Sequence, residues 1–156
     1  MLRITIPGFR ETNLTDLILD YNGTLARDGE FIVGVTERLH ELSGSLHIHI
    51  LTADTFGKAA DEVADLPCKL SVLGPGDHAQ AKLDYINKVG AAGAVSIGNG
   101  RNDRLMLEGS VLSIAVIQTE GAAVETLTSA DIAVFSILDA LDLLTHPKRL
   151  VATLRS

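Results

Sequence analysis

The residues most able to do chemistry stand at the ends of apolar runs. Asp20 closes the run Leu17-Ile-Leu19 and is followed by Tyr21, Asn22, Gly23 and Thr24. A carboxylate there could act as a nucleophile or bind a metal, and the glycine lets backbone N–H groups approach an anion. Thr52 ends the run His47-Ile-His-Ile-Leu51 and offers a hydroxyl and, with Ala53, backbone N–H groups for phosphate oxygens. The segment Gly98-Asn-Gly-Arg-Asn-Asp103 follows Ala94-Val-Ser-Ile97 and carries a second carboxylate at Asp103. Two carboxylates and a backbone carbonyl suit a hard cation such as Mg²⁺, which takes oxygen ligands and keeps several waters. Lys82 could offset charge on a phosphorylated carboxylate.

These groups need a scaffold that gathers residues far apart in sequence. Short runs rich in Ile, Val and Leu alternate with segments of helical spacing, the pattern of βαβ units around a parallel sheet. Strands are expected at 17–19, 47–51, 94–97, 111–116 and 131–134, with an edge strand at Leu2–Ile6 stopped by Pro7-Gly8. Helices are expected at Val35–Leu42, Gly57–Val63, Asp77–Val89 and through Ile137–Leu144, with a last one starting at Pro147. One helix fills each gap between strands. Only 26–34 separates the Asp20 loop from the next helix, room for a flap but not a lid. The fold class expected is a three-layer, Rossmann-like α/β domain over residues 1–156, with a mainly parallel sheet and no cap domain. In such a sheet ligands bind at the carboxyl ends of the strands, where Asp20, Thr52 and 98–103 all fall.

Composition narrows the function classes. The formal net charge is −7, lysines and arginines are scattered, and only two Tyr and four Phe supply aromatic faces, so a nucleic-acid surface is not expected. A membrane span is not expected either, since no apolar stretch reaches about 18 residues. The lone Cys68 permits no internal disulfide and reads as a buried small residue of a soluble, cytoplasmic protein. Gly98-Asn-Gly100 could open a dinucleotide fingerprint, but the third glycine position is Asp103, which would repel a pyrophosphate. His47 and His49 share a strand face without an evident third metal ligand. Asp61, Glu62 and Asp65 read as a solvated helix face. Lys58, which also opens a helix after a strand end, is the rival to Lys82.

The order Leu19-Asp-Tyr-Asn-Gly-Thr-Leu25, Leu51-Thr-Ala53, Lys82 and Gly98-Asn-Gly-Arg-Asn-Asp103 resembles the four motifs of the haloacid dehalogenase superfamily. With Leu51-Thr-Ala-Asp-Thr55, it is similar in particular to the small soluble phosphatases of that superfamily that are P-type-ATPase-like. The resemblance implies a Mg²⁺-dependent phosphatase or phosphotransferase working through an aspartyl-phosphate on Asp20. It implies that Thr52, Ala53, Lys82 and Asn102 bind the phosphoryl group. Asp20, the Asn22 carbonyl, Asp103 and Asn99 would then lie at the metal. A phosphorylated small molecule or macromolecule is the implied substrate, and a homo-oligomer is compatible with the capless site.

Two positions depart from that pattern. Asn22 stands where a second aspartate usually serves as general acid and base, and an amide cannot move that proton. Asn99 stands where a metal-binding aspartate is usual. Slow turnover is therefore expected, and the alternative is a non-catalytic or regulatory phosphate-binding domain.

Overall fold

The computed structural model describes residues 1–53 and 57–156; Asp54 and Thr55 of the Leu51–Thr55 motif lie outside the described residues. In chain order the elements are β1 (Leu2–Ile6), β2 (Arg10–Leu14), β3 (Asp16–Asp20), β4 (Ala26–Arg27), β5 (Glu30–Phe31), α1 (Val35–Ser43), β6 (His47–Thr52), α2 (Lys58–Val63) and β7 (Cys68–Val72). Then come α3 (His78–Val89), β8 (Ala94–Gly98), α4 (Arg104–Gly109), β9 (Leu112–Val116), α5 (Val124–Ser129), β10 (Ile132–Val134), α6 (Ile137–Thr145) and α7 (Pro147–Leu154). Six strands form one parallel sheet in the order β10-β9-β8-β3-β6-β7. The chain leaves β3 toward β6 and β7, then returns to β8 on its other side. The topological switch point therefore lies beside β3, where a ligand crevice is expected in an open α/β sheet.

Strands β3, β8 and β9 are buried at every residue, which explains their continuous apolar runs rather than an alternating pattern. Side chains still alternate between two layers. Leu17 and Leu19 join a core with α1, α6 and α7, whereas Ile18 packs with Ile86 of α3 and Met106 and Leu107 of α4. Asp16 and Asp20 share the parity of Ile18, so both point toward the α3 side. Helix α3 starts firmly because Asp77 accepts from the N–H groups of Ala79 and Gln80 at 3.0 and 3.2 Å. Ser136 caps α6 in the same way, and Pro147 occupies the first turn of α7.

Three expectations need correction. Leu2–Ile6 is not an edge of the main sheet; it pairs antiparallel with Arg10–Leu14 in a separate hairpin turning at Pro7-Gly8. The gap between β6 and β8 holds more than one helix, because Cys68–Val72 forms an additional strand, β7, at the sheet edge. Cys68 is consequently half-buried rather than fully enclosed, and burial raises its thiol pKa. The segment after the Asp20 loop is a flap, as expected: β4 and β5 form a two-residue hairpin. The flap is held by Tyr21, whose hydroxyl donates to the Gly29 carbonyl at 2.7 Å, and by Glu62, which accepts from the Phe31 N–H at 3.1 Å. Among the described residues no helix is long and apolar enough to cross a membrane.

A second polar group lies at the opposite end of β3. Asp16 Oδ1 is 2.9 Å from His49 Nε2 and 3.4 Å from His47 Nδ1, so a carboxylate stands between the two histidines. No set of three such side chains with the arrangement of a metal site occurs among the described residues. His49 is tied on its other nitrogen to the Tyr85 hydroxyl at 2.9 Å, which gives the cluster a structural role. Burial works to raise the Asp16 carboxyl pKa, but hydrogen bonds from Thr15 and His49 and the charge of both histidines bring it below its ordinary value. A depressed carboxyl stabilises the fold at pH values above its unfolded pKa, and that contribution fades as pH falls through the folded value. Urea midpoints measured downward from about pH 5 should therefore drop below about pH 4, and Asp16→Asn should flatten that limb.

Candidate active site

The site is assembled at the carboxyl ends of β3, β6 and β8. Asp20 is the last residue of β3, and its register partner on β6 is Leu51, which places Thr52 one step further along the neighbouring strand. Thr52 is buried at the strand end and Ala53 is exposed just beyond it. From the other side, β8 ends at Gly98 and the chain makes a single 3₁₀ turn over Arg101–Asp103.

Lys82 reaches this end because α3 begins above the strand ends and runs back along the sheet. Its ammonium donates to Asp20 Oδ1 at 2.6 Å and to Asp103 Oδ1 at 2.5 Å, with Asn102 Oδ1 at 3.5 Å. Lys82 is 1% exposed and Asp103 is 0% exposed, so this bridge sits inside the protein. The other Asp103 oxygen accepts from the backbone N–H groups of Asn99 and Gly100 at 3.0 and 2.9 Å. Gly98 makes this possible, since a Cβ there would lie 2.5 Å from Asp103 Cγ. Both Asp103 oxygens are therefore committed to bracing Lys82 and the loop. Lys58, the rival cation, lies against Gly29 of the flap.

The electrostatics follow from burial. Burial and the neighbouring charge of Asp20 push the Asp103 carboxyl above the ordinary range, against the pull of Lys82 and the Gly100 N–H. Burial alone would lower the Lys82 pKa, but the two carboxylates outweigh it and hold the ammonium charged. Removing one partner from a buried ion pair costs about 3–5 kcal/mol, because the remaining charge is left unpaired. Lys82→Met should lose stability on that scale in urea denaturation. Protonating Asp103, whose carboxyl is already pushed up to about 6 with Lys82 present, relieves the unpaired charge, so the loss should shrink as pH falls through about 6, and adding Asp103→Asn should recover part of it at neutral pH.

The loop after Asp20 winds tightly round one carbonyl. Tyr21 O accepts from the N–H groups of Thr24, Leu25 and Ala26 at 3.3, 2.9 and 3.0 Å, while the Gly23 N–H donates to Ala26 O at 2.9 Å. The Asn22 carbonyl stands outside this ring, and the Asn22 side chain is exposed. The Thr24 hydroxyl lies 3.1 Å from Asp20 Oδ2 and 3.2 Å from Asn99 Oδ1. It carries a single proton, so it can donate to only one of them at a time. Asn99 Nδ2 donates to the Gly121 carbonyl at 3.0 Å, which fixes the amide with its oxygen toward Asp20.

The ligand atoms left open are therefore all oxygens: Asp20 Oδ2, the Asn22 carbonyl and Asn99 Oδ1. That set fits a hard divalent cation, though with one carboxylate rather than two facing it. Gln118, which the motifs do not single out, clamps this loop. Its Nε2 donates to the carbonyls of Gly23 and Thr24 at 3.1 and 3.0 Å, and its Oε1 accepts from the Ile137 N–H at 2.7 Å. The signal it leaves in the sequence is slight, a polar residue two positions after a buried strand. An open groove of about 730 Å³ lies between the flap and the start of α6, lined by Arg27, Phe31, Val33, Gln118, Phe135 and Leu138.

No family model matches the chain. An uncharacterised protein of Methanocaldococcus jannaschii is 52% identical over 61 residues, 39% of this chain and 66% of that protein, so the match spans just under two thirds of the relative. A second uncharacterised protein of that organism is 51% identical over 39 residues, 25% of this chain and 89% of the relative, and the chain belongs to the same family as that protein. Among solved structures, the cobalt-bound deoxy-D-mannose-octulosonate 8-phosphate phosphatase of Haemophilus influenzae superposes with a TM-score of 0.72 at 18% identity, covering 92% of this chain and 94% of that one. The 3-deoxy-D-manno-octulosonate 8-phosphate phosphatase of Moraxella catarrhalis, in complex with magnesium ion, phosphate ion and a sugar acid, gives 0.72 at 14% identity, with coverages of 92% and 95%. A zinc-transporting PIB-type ATPase gives 0.59 at 21% identity, matching 79% of this chain to 20% of that one.

Proposed function

From a chain with the haloacid dehalogenase superfamily fold, we propose a phosphatase or phosphotransferase that passes a phosphoryl group through Asp20 with the help of a divalent cation, Mg²⁺ by preference. The observation that carries this reading is the pair of short bonds from one buried lysine to Asp20 and Asp103 at the switch point of the sheet.

In this reading Asp20 Oδ2 is the attacking atom, because Oδ1 is held by Lys82. The Thr24 hydroxyl steadies that oxygen before attack. Lys82 limits the charge accumulating on the carboxylate as the new O–P bond forms and the bond to the leaving oxygen breaks. Thr52, the N–H at Ala53 and Asn102 border the phosphoryl position. The Asp20 carboxylate, through the oxygen that does not attack, the Asn22 carbonyl and Asn99 Oδ1 would hold the cation, which when bound neutralises charge on the phosphoryl oxygens. Attack of water on the aspartyl-phosphate then regenerates Asp20 and releases inorganic phosphate. Asn22 cannot take the proton from that water, so discharge is the slow half of the cycle. A soluble, cytoplasmic setting and a phosphorylated small molecule reached from the open flap side complete the proposal.

The test is phosphate release from acetyl phosphate or p-nitrophenyl phosphate by the purified chain, with Mg²⁺ and with excess chelator. Release that the chelator stops supports the reading, and none above buffer overturns it. Asn22 favours one second reading, a regulatory domain that holds phosphate without turning over.

A further inference from the structure

Asn22 and Asn99 leave the cation site short of negative charge: Asp20 and Asp103 are partly offset by Lys82, and Asp103 faces away from the open oxygens. We propose that Glu120 supplies the missing carboxylate, completing the cation site at its Asn99 corner; this rests on the cation-assisted reading above.

The geometry starts at Gly23. Its φ is +78°, and a Cβ placed there would lie 2.5 Å from Glu120 Oε2, 2.7 Å from Asn99 Nδ2 and 2.9 Å from Asn99 Oδ1. The glycine thus opens a notch into which the Glu120 carboxylate and the Asn99 amide both project. Any side chain at 23 would fill the space they share. Asn99 Oδ1 in turn meets Asp20 Oδ2 at the Thr24 hydroxyl, so the Glu120 carboxylate lies next in line to the nucleophile's open oxygen.

The loop that carries Glu120 is itself held in place. The Gly121 N–H closes a turn on Gln118 O at 2.8 Å, Asn99 Nδ2 binds Gly121 O at 3.0 Å, and the Ala123 N–H binds Asn99 O at 2.9 Å. Gln118 fastens the near side of the turn to Gly23 and Thr24. The Glu120 carboxylate itself takes part in none of the hydrogen bonds or ion pairs of the described residues, whereas Glu125 in the next helix is engaged by Arg101 and Arg104. A carboxylate carried at the edge of a charge-poor oxygen site, and not neutralised by a cation of the protein, is placed to attract a divalent ion. Even at the dielectric constant of bulk water, one full charge about 5 Å from a divalent ion changes cation affinity about tenfold.

The experiment measures Mn²⁺ binding to the intact chain by the loss of the free-ion electron paramagnetic resonance signal, without substrate. Wild type, Glu120→Gln, Asn99→Asp and the double variant are compared, with Asp20→Asn locating the ion. Glu120→Gln should weaken binding about tenfold and leave the urea midpoint unchanged, because the residue is exposed and unpartnered. In the Asn99→Asp background the same change should cost under about threefold, since the local carboxylate is then restored. Equal affinity of wild type and Glu120→Gln overturns the role of Glu120 while leaving the cation reading intact. Absence of Mn²⁺ binding by wild type, or binding that Asp20→Asn leaves unaltered, overturns the cation reading itself and this inference with it.

Discussion

Asp20→Asn should reduce phosphate release to the rate of buffer alone while the protein stays folded. The amide keeps the size and shape of the side chain, and its oxygen can still accept from the Lys82 ammonium, which lies 2.6 Å from Asp20 Oδ1. What it loses is the anionic oxygen that would take the phosphoryl group, so no aspartyl-phosphate can form. Removing a nucleophile commonly costs several powers of ten in turnover, and what remains reflects binding alone. Stability should not fall. Asp20 is one of two carboxylates crowded on one lysine, and its charge is a cause of the raised Asp103 carboxyl. Neutralising it relieves that repulsion. The paired measurement is phosphate release and urea denaturation on the same preparations; a variant that loses activity only by unfolding, or one as active as wild type, contradicts the role given to Asp20.

Asn22→Asp should accelerate turnover, and the size of the gain should depend on the leaving group. The side chain at 22 is exposed and two residues beyond the nucleophile, and its backbone sits in a loop already closed by the hydrogen bonds around Tyr21. A carboxyl there can give a proton to the departing oxygen and take one from the attacking water. General acid–base assistance of this kind contributes about 10²–10⁴-fold. Alkyl phosphates, whose leaving oxygens need the proton, should gain most of that factor. Acetyl phosphate and p-nitrophenyl phosphate, which have good leaving groups, should gain chiefly in discharge of the phosphoenzyme. Steady-state rates on both substrate types check this. A gain from an inactive parent would favour the regulatory reading of the present sequence, and no gain on any substrate would place the asparagine within a working site.

The parts of the fold legible in the sequence are those whose burial leaves a pattern in the residues. Strands β3, β8 and β9 are enclosed on both faces and read as apolar runs, and Asp77 and Pro147 announce the helices they start. Strand β7, Cys-Lys-Leu-Ser-Val, lies at the sheet edge with a half-exposed pattern, so its sequence resembles a loop. Strand β2, Arg-Glu-Thr-Asn-Leu, buries a threonine, which is accommodated because the Thr12 hydroxyl donates to the Ile4 carbonyl of its partner strand at 3.3 Å. No apolar pattern marks such a strand.

The same division runs through the site. Asp20, Thr52 and Asp103 could be placed because each ends a strand or follows its turn. Lys82 is a charged residue on the buried stripe of a helix, beside Ile86 one turn away, and only the order of the motifs singles it out from Lys58. Gln118 escapes such reading because what makes it matter is a contact with residues 23 and 24, and Glu120 because it stands beside Gly23 and Asn99 only once the sheet has brought long stretches of chain together. The commitment of both Asp103 oxygens to Lys82 and the loop N–H groups is likewise invisible in sequence, being a matter of side-chain direction.

The central claim is that Asp20 accepts a phosphoryl group, and trapping the phosphoenzyme tests it most directly. The purified chain, incubated with acetyl phosphate and Mg²⁺ and quenched in acid, should carry one phosphate on the peptide containing Asp20 by mass spectrometry, in a hydroxylamine-sensitive acyl linkage. The adduct should be absent from Asp20→Asn and shorter-lived in Asn22→Asp. Phosphate release without any acyl-phosphate on Asp20, or with the phosphate on another residue, would contradict the account.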